Sequence, residues 1–277
     1  MAYWDKITSR GNVEDRRSLG PGLIGGGLGA LGIIISLAVS LLGGDPAVVQ
    51  NALEQLQTVP GQSQQAESGE FAGEDSYETF ATKVLGSNNE LWNGIFSRNN
   101  LSYQEPRLVL FRGATSSGCG AATSAVGPHY CPADQTIYLD ETFFDELKNR
   151  FGASGGDVAE AYVIAHEVGH HVQQQLGVMQ EVQAAGNSNE QSVRLELQAD
   201  CFAGIWSRSV AKAGVLEPGE IREAIDAAEA VGDDRIQQKT QGQVSPETWT
   251  HGSSEQRATW FNRGYDSGAP TSCNTFE

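Results

Sequence analysis

The 277-residue sequence is poor in basic side chains and in cysteine. Its 18 lysines and arginines stand against 35 aspartates and glutamates, which gives a formal net charge of −17 and a pI near 4.6. A surface of this sign repels phosphate backbones, so we expect no nucleic acid among the partners. The four cysteines allow at most two disulfides, which excludes a small scaffold held together mainly by disulfide bonds.

Charge is also absent from one long stretch near the start of the chain. No charged side chain lies between Arg17 and Asp45, and residues 23–42 are mostly apolar or glycine. About 20 such residues span a bilayer as a helix, whereas the apolar region of a cleaved signal peptide has roughly 7–15. We therefore expect a retained transmembrane helix over residues 22–42, with a cleaved signal peptide or a buried soluble helix as the alternatives. Glycine pairs four residues apart within it offer a surface for a homodimer.

The basic residues near the start are distributed unevenly around this stretch. Four of them precede it, and no lysine or arginine follows between Gly43 and Gln65. Because positive residues stay on the cytoplasmic side, we expect residues 1–21 to be a cytoplasmic lead and the rest of the chain to lie outside. The lead has a net charge of +1. Since the whole chain has −17, the remaining residues have a net charge of −18. Residues 43–75 have the composition of a flexible linker, and we expect residues 76–277 to form one domain.

The cysteines are consistent with this placement outside the cytoplasm. An even number of cysteines in an oxidising compartment favours disulfide formation. Of the three possible pairings, we favour Cys119 with Cys131 and Cys201 with Cys273. Four reduced structural thiols are the alternative.

Helical patterns outnumber strand patterns in residues 76–277. Short apolar runs at 106–111 and 136–139 predict strands. Longer periodic segments predict helices over about 157–176, 189–213 and 218–230. The fold class is therefore α+β.

One of these helices contains the motif H-E-x-x-H, formed by His166, Glu167 and His170. The spacing of four residues places both imidazoles on one helix face, where two ring nitrogens can bind the same Zn²⁺ ion. A glutamate beside the first histidine can then act as general base toward a water molecule at the metal. A surface helix with paired histidines is the alternative.

The third ligand has to come from another part of the chain, because catalytic zinc sites use three protein ligands. The metzincin extension of the motif fails, since Leu176 occupies its histidine position. Glu196, on the next predicted helix, is our candidate. Asp200 lies one turn further on the same face, where it can accept a hydrogen bond from a ligand histidine. Asp200 as the ligand, or two solvated carboxylates, are the alternatives.

Several other polar residues are candidates for supporting roles. His251 is a candidate donor to the oxyanion of a tetrahedral intermediate, with a surface-loop histidine as the alternative. Arg257 is a candidate structural anchor. Tyr162 lies one turn before His166, either near the metal or packed in the core. His171 points about 100° away from His170 around the helix and is not expected to bind the same ion.

These residues occur in a wider pattern that resembles a known family, the bacterial membrane-anchored neutral zinc metallopeptidases (YpfJ-like). The segments that carry the resemblance span nearly the whole chain, and they are Asn12–Arg17, Tyr130–Asp134 leading into TIYLD, the AHEVGHHVQ helix, LELQADCFAG and HGSSEQR. The resemblance implies a zincin-like fold with a gluzincin-type site, a single membrane span and a catalytic domain outside the bacterial cytoplasmic membrane, either periplasmic or extracellular. Zincins bind an extended peptide along an edge strand, and we expect TIYLD to be that strand.

Our leading hypothesis is a membrane-anchored zinc endopeptidase with about one zinc ion per chain and a peptide or protein substrate. The alternative is a zinc-containing but non-catalytic membrane-tethered module that binds envelope proteins. A metal-dependent hydrolase of non-peptide bonds is a third reading. The intact Glu167 favours an enzyme, because a binding module does not need a general base.

Overall fold

The computed structural model of the protein describes residues 1–18 and 75–276. The predicted transmembrane helix at 22–42 and almost all of the predicted linker lie outside these residues. Within them, no helix is both long enough and apolar enough to cross a membrane. The helices and strands follow in chain order as β1 (Asn12–Asp15), α1 (Ser76–Arg98), β2 (Arg107–Phe111), β3 (Ala114–Ser117), β4 (Gly120–Thr123), β5 (His129–Cys131), β6 (Thr136–Asp140), α2 (Phe143–Asn149), α3 (Asp157–Gln175), α4 (Val178–Ala184), α5 (Asn189–Lys212), α6 (Ile221–Ala230), α7 (Asp233–Gln241) and α8 (Ser254–Ser267).

A four-stranded sheet with the order β1-β2-β6-β5 lies beside the helices, and the predicted α+β class is confirmed. Strands β1, β2 and β6 are parallel to one another, and β5 runs antiparallel to β6. Strand β6 is buried throughout and β2 is buried after its first residue, as the continuous apolar runs indicate. Strands β3 and β4 form a separate hairpin.

The prediction that TIYLD is the edge strand that binds a peptide is therefore wrong. TIYLD is β6, and its residues Thr136–Tyr138 pair with β2 on one side and with β5 on the other. Its apolar sequence reflects burial on both faces and not a position at the edge. The strand at that end of the sheet is β5.

The start of the chain packs against the other residues that the structure describes. Strand β1 pairs in parallel with β2 over four residues. The ring of Trp4 stacks on that of Trp206, with 6.4 Å between the centroids. Asp157 is the first residue of α3 and accepts a hydrogen bond of 2.8 Å from Trp4 Nε1. Residues 1–18 thus belong to the same folded unit as residues 75–276.

Helix α5 is central to the helical part of the molecule. It begins with a capping box, in which the Ser188 side chain accepts a hydrogen bond from the backbone N–H group of Gln191. It packs closely on α8, where a Cβ atom at Gly204 would lie 2.1 Å from the Phe261 carbonyl oxygen. Only glycine permits this separation of the two backbones. The crossing brings the C-terminal part of the chain toward the histidine motif.

The structure contains the two disulfides that the sequence analysis favours. Cys119 pairs with Cys131, and Cys201 pairs with Cys273. The first connects the β3–β4 hairpin to β5. The second joins α5 to the C-terminal segment, whose Cys273 carbonyl oxygen accepts a 3.0 Å hydrogen bond from Gln198 Nε2.

Candidate metal centre

The three predicted ligands converge on one point between α3 and α5. The rings of His166 and His170 are 4.8 Å apart between centroids, on one face of α3. Glu196 reaches across from α5, with 3.1 Å from its Oε2 to Nε2 of His166 and 3.3 Å from its Oε1 to Nε2 of His170. Possible ligand atoms of the three residues all lie within 4.8 Å of one another. Among the residues that the structure describes, no other group of three or more such side chains is this close.

Glycine in the middle of the motif makes this approach possible. A Cβ atom at Gly169 would lie 3.0 Å from both Cα and the carbonyl oxygen of Ala199 on α5. A larger side chain there would push the two helices apart. Because Glu196 is three residues before Ala199, such a displacement would carry its carboxylate away from the histidines.

The chemistry of these side chains fits a zinc ion. Two imidazole nitrogens and one carboxylate are a ligand set of catalytic zinc sites. The general-base candidate Glu167 is 6 % exposed, and its buried Oε2 has no hydrogen-bond partner among the described residues. A buried carboxylate oxygen without a partner is costly, and a water molecule held beside a metal would satisfy it.

The charges at the site also favour a cation. Burial lowers the pKa of His166, but the carboxylates of Asp200 and Glu196 outweigh burial and raise it to about 10. Burial raises the pKa of Glu196, yet the two histidines bring it well below its ordinary value. Protons therefore neutralise this cluster in the metal-free protein. Zinc would replace those protons, so its binding is expected to release them.

Asp200 lies behind His166, where it fixes the orientation of the ring. Its Oδ1 is 2.8 Å from His166 Nδ1 and accepts a 2.5 Å hydrogen bond from the Tyr162 hydroxyl. The Arg257 guanidinium donates to both carboxylate oxygens, at 2.8 and 3.0 Å. All four side chains are buried. With Asp200 accepting from Nδ1, Nε2 of His166 faces Glu196 and is the nitrogen that would bind a metal, which makes Asp200 an orienting group and Glu196 the better ligand candidate.

His170 has a comparable partner that the sequence analysis did not identify. Its Nδ1 lies 2.9 Å from Oε1 of Gln173, a fully buried residue three positions later on α3. The Gln173 amide donates in turn to the Leu195 carbonyl oxygen at 2.7 Å. A buried amide at that spacing from a ligand histidine is the signal that could have revealed it.

His251 lies at the rim of the site, on the loop between α7 and α8. Its side chain is half exposed, and its Nδ1 is 3.2 Å from Oδ1 of Asp233. The other carboxylate oxygen of Asp233 accepts hydrogen bonds from three successive backbone N–H groups, those of Thr250, His251 and Gly252. Asp233 therefore fixes the loop, although no sequence motif marked it.

A cavity of about 670 Å³ opens beside the three ligands. Glu167, His251 and Arg257 form part of its wall. Its apolar lining comes from separate elements of the fold and includes Val126, Phe143, Phe151, Met179, Leu195 and Ile236. The cavity is large enough for one or more side chains of an extended peptide, and its walls favour apolar ones.

His171 points away from the ligands, as its position on the helix predicts. It is fully buried, with Nε2 2.5 Å from the Gln104 carbonyl oxygen and Nδ1 2.9 Å from the Tyr130 hydroxyl. Burial lowers its pKa to about 4, so the ring is neutral near pH 7. This neutral ring links α3 to strand β5.

Comparison with known proteins places the chain in a family. Residues 2–276 match the family described as "Putative neutral zinc metallopeptidase". The chain is 45% identical over 284 aligned residues to the Escherichia coli K12 protein named "Uncharacterized protein YpfJ", covering 99% of this chain and 98% of that one. It is 52% identical over 185 residues to "Uncharacterized protein Rv2575" of Mycobacterium tuberculosis H37Rv, covering 63% of each. No solved structure matches the chain. The protein belongs to this family of neutral zinc metallopeptidases, whose description indicates a zinc-dependent hydrolase.

Proposed function

We propose that the protein is a zinc-dependent endopeptidase of the zincin type, with the gluzincin ligands His166, His170 and Glu196. The observation that carries the proposal is the position of Glu167. It adjoins the convergent ligands, lines the cavity and has a buried carboxylate oxygen without a hydrogen-bond partner among the described residues. A partially apolar cleft with a carboxylate beside a metal site is suited to peptide hydrolysis.

The side chains of this protein divide the reaction between them. Zinc, when bound, supplies Lewis-acid polarisation of the scissile carbonyl and lowers the pKa of water at the site. Glu167 accepts one proton from the attacking water while the water oxygen forms a bond to the carbonyl carbon. Glu167 then delivers that proton to the leaving nitrogen as the C–N bond breaks, so the carboxylate is regenerated.

His251 is proposed as the donor that stabilises the oxyanion. Burial lowers the pKa of His251, but its hydrogen bond with Asp233 outweighs burial and raises it. A protonated imidazole donates from Nε2 while Nδ1 remains bonded to Asp233. The side chain lines the cavity, which gives it access to a bound carbonyl group.

Strand β5 is proposed as the surface along which the peptide backbone binds. It ends the order of the sheet, and both His129 and Tyr130 line the cavity. An extended peptide can add to such an edge through main-chain hydrogen bonds. The contact between His171 and Tyr130 holds this edge against the helix that carries the ligands.

The two disulfides support a location of the catalytic domain outside the cytoplasm, in the periplasm or beyond the cell. Attachment to the membrane through residues 22–42, and dimerisation through their glycines, stay predictions from the sequence. The family relationship adds no information on either.

The substitution Glu167→Gln tests the proposed function. It preserves the size of the side chain but removes the base, so hydrolysis of a quenched fluorescent peptide library should fall by roughly 10²–10⁴-fold. Zinc content should be unchanged, because Glu167 is not a ligand. Glu181→Gln, an exposed change on α4, is the matched control and should retain activity. Full activity in the Glu167 variant would overturn the mechanism, and binding of peptides without cleavage by the parent protein would favour a non-catalytic module.

A further inference from the structure

The described part of the N-terminal lead, residues 1–18, joins the domain through backbone pairing. Strand β1 follows β2 in parallel register from Asn12 opposite Arg107 to Asp15 opposite Leu110. The pairing continues with a 2.7 Å hydrogen bond from the Arg16 N–H group to the Leu110 carbonyl oxygen. Before the strand, the Gly11 N–H group donates to the Thr82 carbonyl oxygen of α1 at 2.8 Å.

Glycines on both sides allow the lead to lie directly against α1. A Cβ atom at Gly11 would lie 2.5 Å from the Leu85 side chain. A Cβ atom at Gly86 would lie 2.5 Å from the backbone nitrogen of Arg10. Each surface therefore has a glycine at the point where the other surface comes closest. Two such matched positions indicate a specific interface.

Aromatic packing extends the interface to the helices of the metal site. The Trp4 ring meets Phe80 edge to face at 5.2 Å and stacks on Trp206 of α5. Its indole N–H group donates to Asp157 at the start of α3. The lead thus contacts both helices that supply the metal ligands.

The end of the lead lies beside the point where the described chain resumes. The Arg17 guanidinium is buried among three carboxylates, with contacts of 2.8 Å to Asp15, 2.9 Å to Asp75 and 2.5 Å to Glu141. Asp75 is the first described residue after residue 18, and it also caps α1 through the Glu78 N–H group. The chain therefore leaves the domain and returns to it at one place.

These contacts also explain the basic residues that suggested a cytoplasmic lead. Arg16 forms a 2.7 Å ion pair with Glu14, and Arg17 is neutralised by its three carboxylates. Lys6 donates to the Gly214 carbonyl oxygen at 2.6 Å. Positive charges of the lead thus have partners within the fold, so their sequence position is a poor guide to membrane orientation.

We propose that the N-terminal lead and residues 75–276 lie in the same compartment and that the chain between them starts and ends on one side of any membrane it meets. Any odd number of crossings between residues 18 and 75, including the single transmembrane helix expected at residues 22–42, would separate β1 from β2. It would also expose the β2 edge, strip Arg17 from Asp75 and Glu141, and remove Trp4 from its aromatic partners. This inference is independent of the peptidase activity, since it rests on the interface alone.

Cysteine labelling in intact bacterial cells tests the proposal. Thr8→Cys in the lead and Glu255→Cys on α8, made singly in the full chain, each place a thiol at an exposed position. A membrane-impermeant maleimide is applied before and after lysis, with the outer membrane opened where the host has one. Both thiols should react before lysis, or both only after it. Labelling of one and protection of the other would overturn the proposal.

Cross-linking of the unaltered chain gives a second test that needs no substitution. Lys83 Nζ donates to the Trp4 carbonyl oxygen at 3.2 Å, which places it close to Lys6. Lys6 should therefore form amine cross-links with Lys83 in cells treated with a permeant reagent. Lys148 and Lys239 both lie near residues 151–155 and provide the internal control link. A control link without a Lys6–Lys83 link would contradict the proposal.

Discussion

Two buried arginines, Arg257 and Arg17, each organise a cluster of acidic side chains. Arg257 bonds to Asp200 and Tyr162 directly behind the candidate metal centre. Arg17 bonds to carboxylates from β1, from the start of α1 and from the residue after β6, none of which is a candidate metal ligand. Both neutralise acidic groups, but only the first cluster touches residues with a catalytic assignment. Burial of charge alone therefore does not mark a functional site, whereas contact with a ligand does.

The largest effect on stability is expected at Asp200. Asp200→Asn removes the charge partner at 2.8 Å from the buried Arg257 guanidinium, whose other ion pair, with Glu196, is longer at 3.9 Å, and breaking a buried pair typically costs about 3–5 kcal/mol in the free energy of unfolding. It also weakens the group that orients His166, so zinc affinity should fall by about 10–100-fold. Urea unfolding and competitive zinc titration measure the two effects. Asp266→Asn, at an exposed position on α8, is the control, and unchanged zinc affinity at Asp200 would contradict its orienting role.

A smaller effect, confined to stability, is expected at Arg17. Arg17→Ala leaves three carboxylates without their cation, but these groups are partly exposed, so we expect a loss of about 2–3 kcal/mol. Zinc affinity should stay within about twofold of the parent value, because this cluster does not contact the ligands. The exposed Arg98→Ala is the matched control. A loss of zinc affinity as large as that of Asp200→Asn would erase the distinction between the two clusters.

The smallest expected effect depends on pH and concerns Glu160, which lies in the first turn of α3. Burial, followed by the charges of Asp157, Glu141 and Asp145, raises the pKa of Glu160 to about 7. In the unfolded chain this carboxyl titrates near 4.5, so the unfolded state ionises first and stability falls as the pH rises from about 4.5 to 7. Glu160→Gln should therefore be more stable than the parent by about 1–2 kcal/mol at pH 8, after allowance for its partial exposure.

Thermal unfolding from pH 4 to pH 8 measures this difference, which should vanish toward pH 4. Glu90→Gln is the matched control, because it makes the same change at an exposed position on α1. Parallel curves for the parent and Glu160→Gln would show that the carboxyl does not titrate abnormally.

The two arginine clusters also separate what the sequence could predict from what it could not. The helix of His166 and His170 was predictable because its motif and periodicity are local. Glu196 was predictable as a carboxylate in a mostly apolar helix, although only packing of α3 on α5 brings it to the histidines. The distances within the site follow from the close approach at Gly169, which no spacing in the sequence reveals.

The lead could not be predicted in the same way. Asn12–Asp15 is short and charged, and it pairs with a strand more than 90 residues later, so no local pattern marks it as a strand. Its basic residues suggested a cytoplasmic location by the positive-inside rule, but the sequence does not show their partners in the fold. The roles of Gln173 and Asp233 could not be predicted from the sequence either, because they depend on hydrogen bonds made in the folded protein.

The central claim is that His166, His170 and Glu196 bind zinc, and metal analysis of purified protein tests it most directly. Mass spectrometry of the full chain and of Glu196→Ala, with the exposed Glu190→Ala on the same helix as control, gives the zinc content of each. We expect about one zinc ion per chain in the parent and in the control, and a large loss in Glu196→Ala. A folded, peptide-cleaving parent protein without zinc, or a Glu196 variant that retains its full zinc content, would contradict the account.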